Sequence, residues 1–355
     1  MEGDKTGNDV LSVRQVKVLL SVALLAPATD LLPTVAAQQV GKGGWLTGLG
    51  MLPVLLLALW VGSRTFCGQD ICKTVGRPVG YTIIIIYLLW ILFVIASVLR
   101  LSAARMEAVY GRLPSVWLSA GLAVIAAWVG MGKASALARA AEIFYLALAV
   151  VLAGVLLLGL FRVKWQNLYP VEWTRLPEGS FRSAGILLNV MPVAVLGKRI
   201  PQKARSKQKA RGWMAVFCAV ITVVLAVVLG CLGSGLSARL ETPYFITVQG
   251  LGIKGAFQRT EALVAAVWML SDLILCAALL RAAKEYAARM ASEQWGRRSV
   301  PVLAGVALAG GWLLFPDEGV RSFCIGVLPV IGMVLGICFP AFLWMLSRGR
   351  AKNRR

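Results

Sequence analysis

Hydrophobic positions fill long stretches of this chain and leave only short polar connections between them. Runs free of acid and base cover Gly43–Ser63, Tyr81–Leu99, Leu113–Gly132, Ile143–Phe161, Gly212–Ala238, Ser299–Pro316 and Ser322–Ser347. Each is close to the ~20 residues a helix needs to cross the hydrocarbon core. Three further stretches are interrupted. Val18–Gly41 is cut by Asp30, with Pro27 and Pro33 on either side; Ser183–Gly197 carries Gly185, Asn189 and Pro192; Ala262–Leu280 carries Asp272. Unbroken apolarity, rather than alternation over ~10 residues, excludes a membrane β-barrel. The pattern predicts an all-α integral membrane protein with ten transmembrane helices.

Breaks in the first and sixth stretches carry the most information. A bilayer offers no water to a freed N–H or C=O, so an interrupted helix survives only beside a protein cavity. Interruptions at matching places in two halves point to a ligand site near the midplane. The expected architecture is a 5+5 inverted repeat, each half a discontinuous helix (helices 1 and 6) followed by four continuous ones. Repeat one covers about 14–162 and repeat two about 180–347, without a strong linear repeat between them. A polar lead, 1–13, and a basic tail, 348–355, flank the membrane domain.

Composition agrees: 59% of the 355 residues are hydrophobic and mean hydropathy is +0.77. A net charge of +21 suggests nucleic acid in a soluble protein. Here the charge is segregated by connection. Ten helices place 25 of the 37 Lys and Arg on the side of both termini and 12 on the other, which sets the termini in the cytoplasm. Arg348–Arg355 serves as topology signal or as a contact for anionic lipid. Glu2, Asp4 and Asp9 spoil the basic start of a cleaved signal peptide. Seven scattered Cys, Cys67 and Cys72 among them on a cytoplasmic connection, show no disulfide framework. With no His and no paired CxxC, neither a metal site nor a His proton relay is expected.

Several connections carry local expectations. Gly41-Lys42-Gly43-Gly44-Trp45 reads as a tight reversal and not a phosphate loop, since no Ser or Thr follows the Lys. Arg139 and Glu142, three apart at the start of helix 5, are expected to pair. Trp165, Tyr169 and Trp173 in Arg162–Arg182 read as a belt on the outer surface. Residues 234–258 form an outer segment, re-entrant or lid-like. Arg259 and Glu261 read as an interfacial pair, and Arg281–Gln294 as an amphipathic extension of helix 8 into the cytoplasm.

Candidate chemistry sits inside the membrane. A charge at the bilayer centre costs ~2.5–3.5 kcal/mol on insertion scales and usually marks function. Asp272 and Asp30 qualify, either as functional groups or as buried partners of a neighbouring helix. At the breaks, half-helix N–H groups suit a carboxylate, and freed carbonyls of Leu25, Ala26 or Leu188 suit an ammonium. Asn189 either orients a ligand or bonds helix to helix. Thr29 and Ser271 are weaker candidates; Ala28, Ala96 and Ser97 leave room for a ligand or allow close packing. No hydrolytic triad, phosphate loop or redox motif is present, so catalytic residues and cofactors are not expected.

Arg14-Gln15 ahead of helix 1 and the Gly41–Trp45 turn resemble the opening of the spore germination permeases, the B subunits of endospore germinant receptors. Gly76-Arg77-Pro78-Val79-Gly80, Ala138–Phe144, Asn167–Val171 and Phe257–Trp268 are similar to that family in order and spacing. The resemblance spans about 12–347. It implies the ten-helix fold of the amino acid–polyamine–organocation superfamily with helices 1 and 6 unwound, in the spore inner membrane or cell membrane of an endospore former. It also implies a small germinant, often an amino acid, and two partners, a membrane A-type subunit and a lipoprotein C-type subunit. The family's pocket maps onto Pro27, Ala28, Thr29, Asp30, Val94, Ser97, Leu188, Asn189, Val190, Met191, Ser271 and Asp272. The chain departs from the family at the helix 1 break, where Ala26-Pro27-Ala28-Thr29-Asp30 replaces a Gly-containing run; an acid there opposes a carboxylate unless paired. A proton- or sodium-coupled amino acid transporter and a non-binding scaffold are the competing readings.

Overall fold

The computed structural model describes residues 9–65, 76–110, 115–201, 210–251, 260–315 and 320–352. Regular structure among them is helical throughout. The order is α1 (Val13–Asp30), α2 (Leu32–Val40), a 3₁₀ turn (Gly41–Leu46), α3 (Thr47–Gly50), α4 (Leu52–Thr65), α5 (Arg77–Tyr110), α6 (Ser115–Met131) and α7 (Ala134–Leu160). Then come α8 (Leu176–Leu187), a 3₁₀ segment (Leu188–Arg199), α9 (Ala210–Leu232), α10 (Ser234–Ser237), α11 (Pro243–Gly250), α12 (Thr260–Met290) and α13 (Glu293–Leu314). Last are α14 (Val320–Met333), a π-turn (Val334–Cys338) and α15 (Phe339–Lys352). Among the described residues seven stretches are long and apolar enough to cross a membrane: Leu32–Thr65, Arg77–Glu107, Ala134–Leu160, Trp173–Arg199, Arg211–Leu232, Ala262–Met290 and Val320–Leu346. The other apolar runs fold as α1, α6 and α13, outside those limits of length or apolarity. The protein is an all-α integral membrane protein.

The two interrupted segments behave differently. Ser12 caps α1 in a capping box with Gln15. Pro27 then removes one N–H from the helix interior, which ordinarily breaks it. Here Ser271 of α12 enters the ladder: its Oγ accepts from Ala26 N at 2.9 Å and donates to Val22 O at 2.6 Å. Thr29 Oγ1 donates to Leu25 O at 2.8 Å. The helix therefore continues to Asp30 and passes through Leu31 into α2, with Leu31 N still reaching Pro27 O and Val35 N reaching Leu31 O. The expected unwinding over Pro27–Asp30 is not found, and the Leu25 carbonyl is not free. A hydroxyl inserted into the ladder in the turn before Pro27 keeps the backbone groups there paired.

In the sixth segment α-geometry does end. At Leu188 the chain tightens into twelve residues of 3₁₀ helix, far beyond the usual 3–4, as at functional hinges. Asn189 staples this junction. Its Nδ2 donates to Gly185 O, Ile186 O and Leu328 O, and its Oδ1 accepts from Trp90 Nε1 at 2.9 Å. Gly185 faces the Pro329 backbone so closely that a Cβ would collide with it, which locks α8 against α14.

α12 is the central rod. Ile274 to Leu280 are buried on every face, as expected of a helix apolar all round. Beyond the apolar core it carries Arg281, only 3% exposed, and stays helical to Met290. The expected continuation is thus helical over Arg281–Met290 and stops four residues short of Gln294: Ala291 and Ser292 form an exposed turn, and Gln294 belongs to α13. The Gly41–Leu46 turn does reverse the chain: Gly41 has φ 70° and Gly44 lies on the Ala36 backbone. Arg139 and Glu142 do not pair with each other. Arg139 Nε donates to Ser135 O, and Glu142 faces Arg14 Nε at 3.9 Å. Trp165, Tyr169 and Trp173 are exposed, as expected for a surface belt. The described part of the segment 234–258 folds into α10 and α11, and Tyr244 and Phe245 of α11 pack on the Trp268 ring. Cys67, Cys72, Arg259, the side chain of Glu261, residues 252–258 and the side chains of the tail lie outside the described residues.

Candidate functional site

Where the two interrupted segments meet, charge is buried. Asp30 ends α1 and is 1% exposed. Its Oδ2 accepts from Arg105 Nη1 of α5 at 3.2 Å, and its Oδ1 from Arg321 Nη1 of α14 at 2.8 Å. Arg321 Nη2 also donates to the Asp30 carbonyl, placing a cation on the negative end of α1. Arg105 Nη2 donates to Asp272 Oδ2 of α12. The result is a quartet of two acids and two arginines from four helices, with no net charge. Desolvating each ion costs several kcal/mol, and mutual attraction offsets this only when the geometry is good. Arg105 also lies 5.3 Å from the Trp268 ring centroid, a cation–π contact. Trp268 Nε1 in turn donates to Thr29 Oγ1 at 2.7 Å.

Beside the quartet lies a void of about 40 Å³. Its polar end is Asp30, Arg105 and Asp272; Ser97 and Asn189 stand on its wall; Leu24, Val94, Ile186, Leu187, Val190, Leu275 and Leu328 form the rest with Pro27, Leu31, Val98 and Leu101. Such a volume holds a few waters and is too small for an amino acid. Arg105 Nε is buried without a hydrogen-bond partner among the described residues, so donor capacity is left over on the lining of the void; Arg321 Nε, in the quartet but off that lining, is likewise unpartnered. The arrangement offers a cation and two carboxylates at one end and apolar walls at the other. It provides no activated nucleophile.

Of the residues expected to form a pocket, seven line this void: Pro27, Asp30, Val94, Ser97, Asn189, Val190 and Asp272. The other five do not. Ala28 is buried in packing. Thr29 serves Trp268 and its own helix, and Ser271 is spent in the α1 ladder. Leu188 and Met191 face a separate groove on the other side of the 3₁₀ segment.

The sequence profile of a family described as spore germination protein (Spore_permease) matches residues 10–290. The chain belongs to the spore germination permease family. No curated protein matches it. In this permease the match takes in Asp30, Arg105, Asn189 and Asp272, while Arg321 lies beyond it. Family and fold together indicate a receptor or transporter of the membrane in germination.

Sequence reasoning missed the two arginines of the permease site. Arg100, Arg105 and Arg321 follow or precede apolar runs and read as outer-loop charges. In the structure α5 runs 34 residues, ~51 Å at 1.5 Å per residue, and carries Arg100 and Arg105 as buried helical positions. Arg100 Nε donates to Phe315 O, and its guanidinium lies 4.3 Å from the Trp312 ring centroid. A signal was present: two acids inside a membrane require cations, and Leu101, Ala103, Ala104 and Met106 keep the neighbourhood of Arg105 apolar.

Proposed function

We propose that this spore germination permease is a germinant receptor B subunit, and that it binds a small zwitterionic germinant, an amino acid, in the void between α1, α5, the α8–3₁₀ junction and α12. One observation carries the reading: Arg105 stands between Asp30 and Asp272 at the polar end of an otherwise apolar cavity. A carboxylate takes the Arg105 guanidinium, which suits it in bidentate fashion, and an ammonium takes one aspartate. Arg105 thereby answers the objection that an acid at the helix 1 break repels a carboxylate. Without ligand the three side chains satisfy one another and the cavity stays small. Binding must therefore part α1 from the 3₁₀ segment, and the signal is the shift between the two arrangements.

The test is a thermal-shift screen of the purified protein against the common amino acids, followed by Arg105→Lys, which keeps the charge and loses the fork. A ligand that raises the melting temperature of the wild type and loses that effect in the variant supports the reading. Equal shifts in both proteins, or none in the wild type, end it.

The same reading holds ten crossings in two inverted five-helix halves, with both termini in the cytoplasm of the spore. Burial of Arg100, Arg105 and Arg321 removes three charges from the outer connections and steepens the basic excess on the inner side. The partners are a membrane A-type subunit and a lipoprotein C-type subunit, to be sought by co-purification from spores. Two buried carboxylates on a membrane cavity also suit a proton- or sodium-coupled amino acid carrier. Uptake into proteoliposomes that Asp272→Asn abolishes would favour that alternative.

A further inference from the structure

A second void, about 1060 Å³, lies between the first half of α1, the second half of α4, the 3₁₀ segment and the start of α9. It exceeds the ~300–1,000 Å³ of sites for drug-sized ligands. Its walls are apolar, with Leu20, Leu56, Leu59, Val193 and Leu196 among them. Leu57 and Trp60 on its rim are 48% and 43% exposed, so it opens sideways on the face that meets hydrocarbon. None of the described residues lining it is acidic, and Lys17 and Arg211 line it. Both cations belong to the same end. Lys17 is in the second turn of α1 and Arg211 is the second residue of α9, while α4 ends there at Thr65 and the 3₁₀ segment at Arg199, with Ser63 and Ile200 on the lining. Lys17 is half-buried and Arg211 exposed. The first N–H groups of the 23-residue α9 add positive potential at that end.

We propose that this groove holds one anionic diacyl phospholipid, its chains along the apolar walls and its phosphate between Lys17 and Arg211. The occupant must reach the groove from within the bilayer, fill a long apolar slot and bring negative charge to one end. A membrane lipid with an anionic headgroup meets all three conditions, and basic pockets between transmembrane helices are known to take such headgroups. A peptide helix would meet the slot but not the two cations at its end. The lipid also touches the first site. Leu24, Leu187 and Val190 line both voids, so one layer of side chains separates the lipid chains from the cavity. The lipid braces α1 against the 3₁₀ segment on the inner side, and parting those elements requires it to move.

The experiment uses the full chain in detergent, stripped of lipid and offered phosphatidylglycerol or phosphatidylcholine. Native mass spectrometry reads the bound lipid, and thermal unfolding reads its effect. Expected is one tightly retained phosphatidylglycerol, a rise in melting temperature with that lipid and not with phosphatidylcholine, and about a fivefold loss of retention for each of Lys17→Ala and Arg211→Ala. Gly212→Phe is the third variant. It lines the groove at a position where an added Cβ meets no neighbour within 4 Å, and its ring should reduce retention while leaving both cations in place. Equal retention of the two lipids, or retention unchanged in all three variants, overturns the proposal, as does a co-purified peptide in the place of lipid.

Discussion

Two charged quartets, each of two acids and two arginines, hold this protein, and they sit in different surroundings. The cavity quartet joins Asp30, Arg105, Asp272 and Arg321, whose side chains are 1%, 3%, 2% and 12% exposed. The second joins Asp9, Arg199, Arg281 and Glu285, at 10%, 25%, 3% and 20%. In this second quartet Arg199 reaches Asp9 at 3.3 Å and Glu285 at 2.7 Å, and Arg281 reaches the same two acids at 3.2 and 2.9 Å. Leu11 N donates to Arg199 O, so the lead is tied to the end of the 3₁₀ segment. α12 contributes to both sets, Asp272 to one and Arg281 and Glu285 to the other. The comparison teaches that ion pairs of like geometry carry unlike energies. Surface solvent can replace a lost partner in the second quartet, whereas beside the cavity only the few waters the void holds are at hand.

The largest expected effect is therefore on the cavity quartet. Arg105→Ala leaves two carboxylates buried and should cost about 3–5 kcal/mol, read as lost thermal stability of the purified protein. Arg105→Leu combined with Asp272→Leu removes cation and acid together and should recover much of that loss. If the double variant is no better than the single one, uncompensated charge is not the cause. Glu285→Gln should cost less, about 1 kcal/mol, because Asp9 still pairs with both arginines it leaves and solvent reaches Arg199; a loss equal to that of Arg105→Ala breaks the contrast.

Acid sharpens it further. Burial pushes the Asp9 carboxyl up, but N–H groups of Ser135 and Ala134 and the charges of Arg281 and Arg199 outweigh burial and hold it below the usual carboxylate range. A depressed folded value means stability that is present above the unfolded value of ~3.9 and lost as pH falls through the lower folded one. The stability gap between wild type and Asp9→Asn should be constant at neutral pH and close below about pH 4. A gap that widens in acid contradicts the assignment. The smallest effect is that of salt. Between about 0.1 M and about 1 M the screening length falls from ~10 to ~3 Å. Glu285→Gln should then lose part of its cost, while that of Arg105→Ala stays the same.

Asp30 and Asp272 were legible in the sequence because an acid in an apolar run stands out against its neighbours. Arg105 was not, since a base at the end of such a run looks like a loop residue until the helix is seen to continue. The family followed from short motifs in order and spacing. The roles of Asn189 and Ser271 stayed open for a different reason. A polar side chain in a membrane helix bonds to whatever faces it, and facing is a tertiary property. Both turned inward to repair backbone, Asn189 at the 3₁₀ junction and Ser271 in the α1 ladder.

Taken by itself, the sequence determined that the protein is helical, lies in a membrane and is interrupted twice, because each property depends on local apolarity and on missing N–H donors. Only the tertiary structure decided whether an interruption became a gap. Pro27 leaves the Ala23 carbonyl without its helical donor in any fold, yet the Ser271 hydroxyl of a helix some 245 residues away bridges the adjoining Ala26 N and Val22 O, and the helix runs on. Nothing comparable straightens the sixth segment, where Asn189 holds the tight helix in place. The cavity exists because one break was mended and the other was kept.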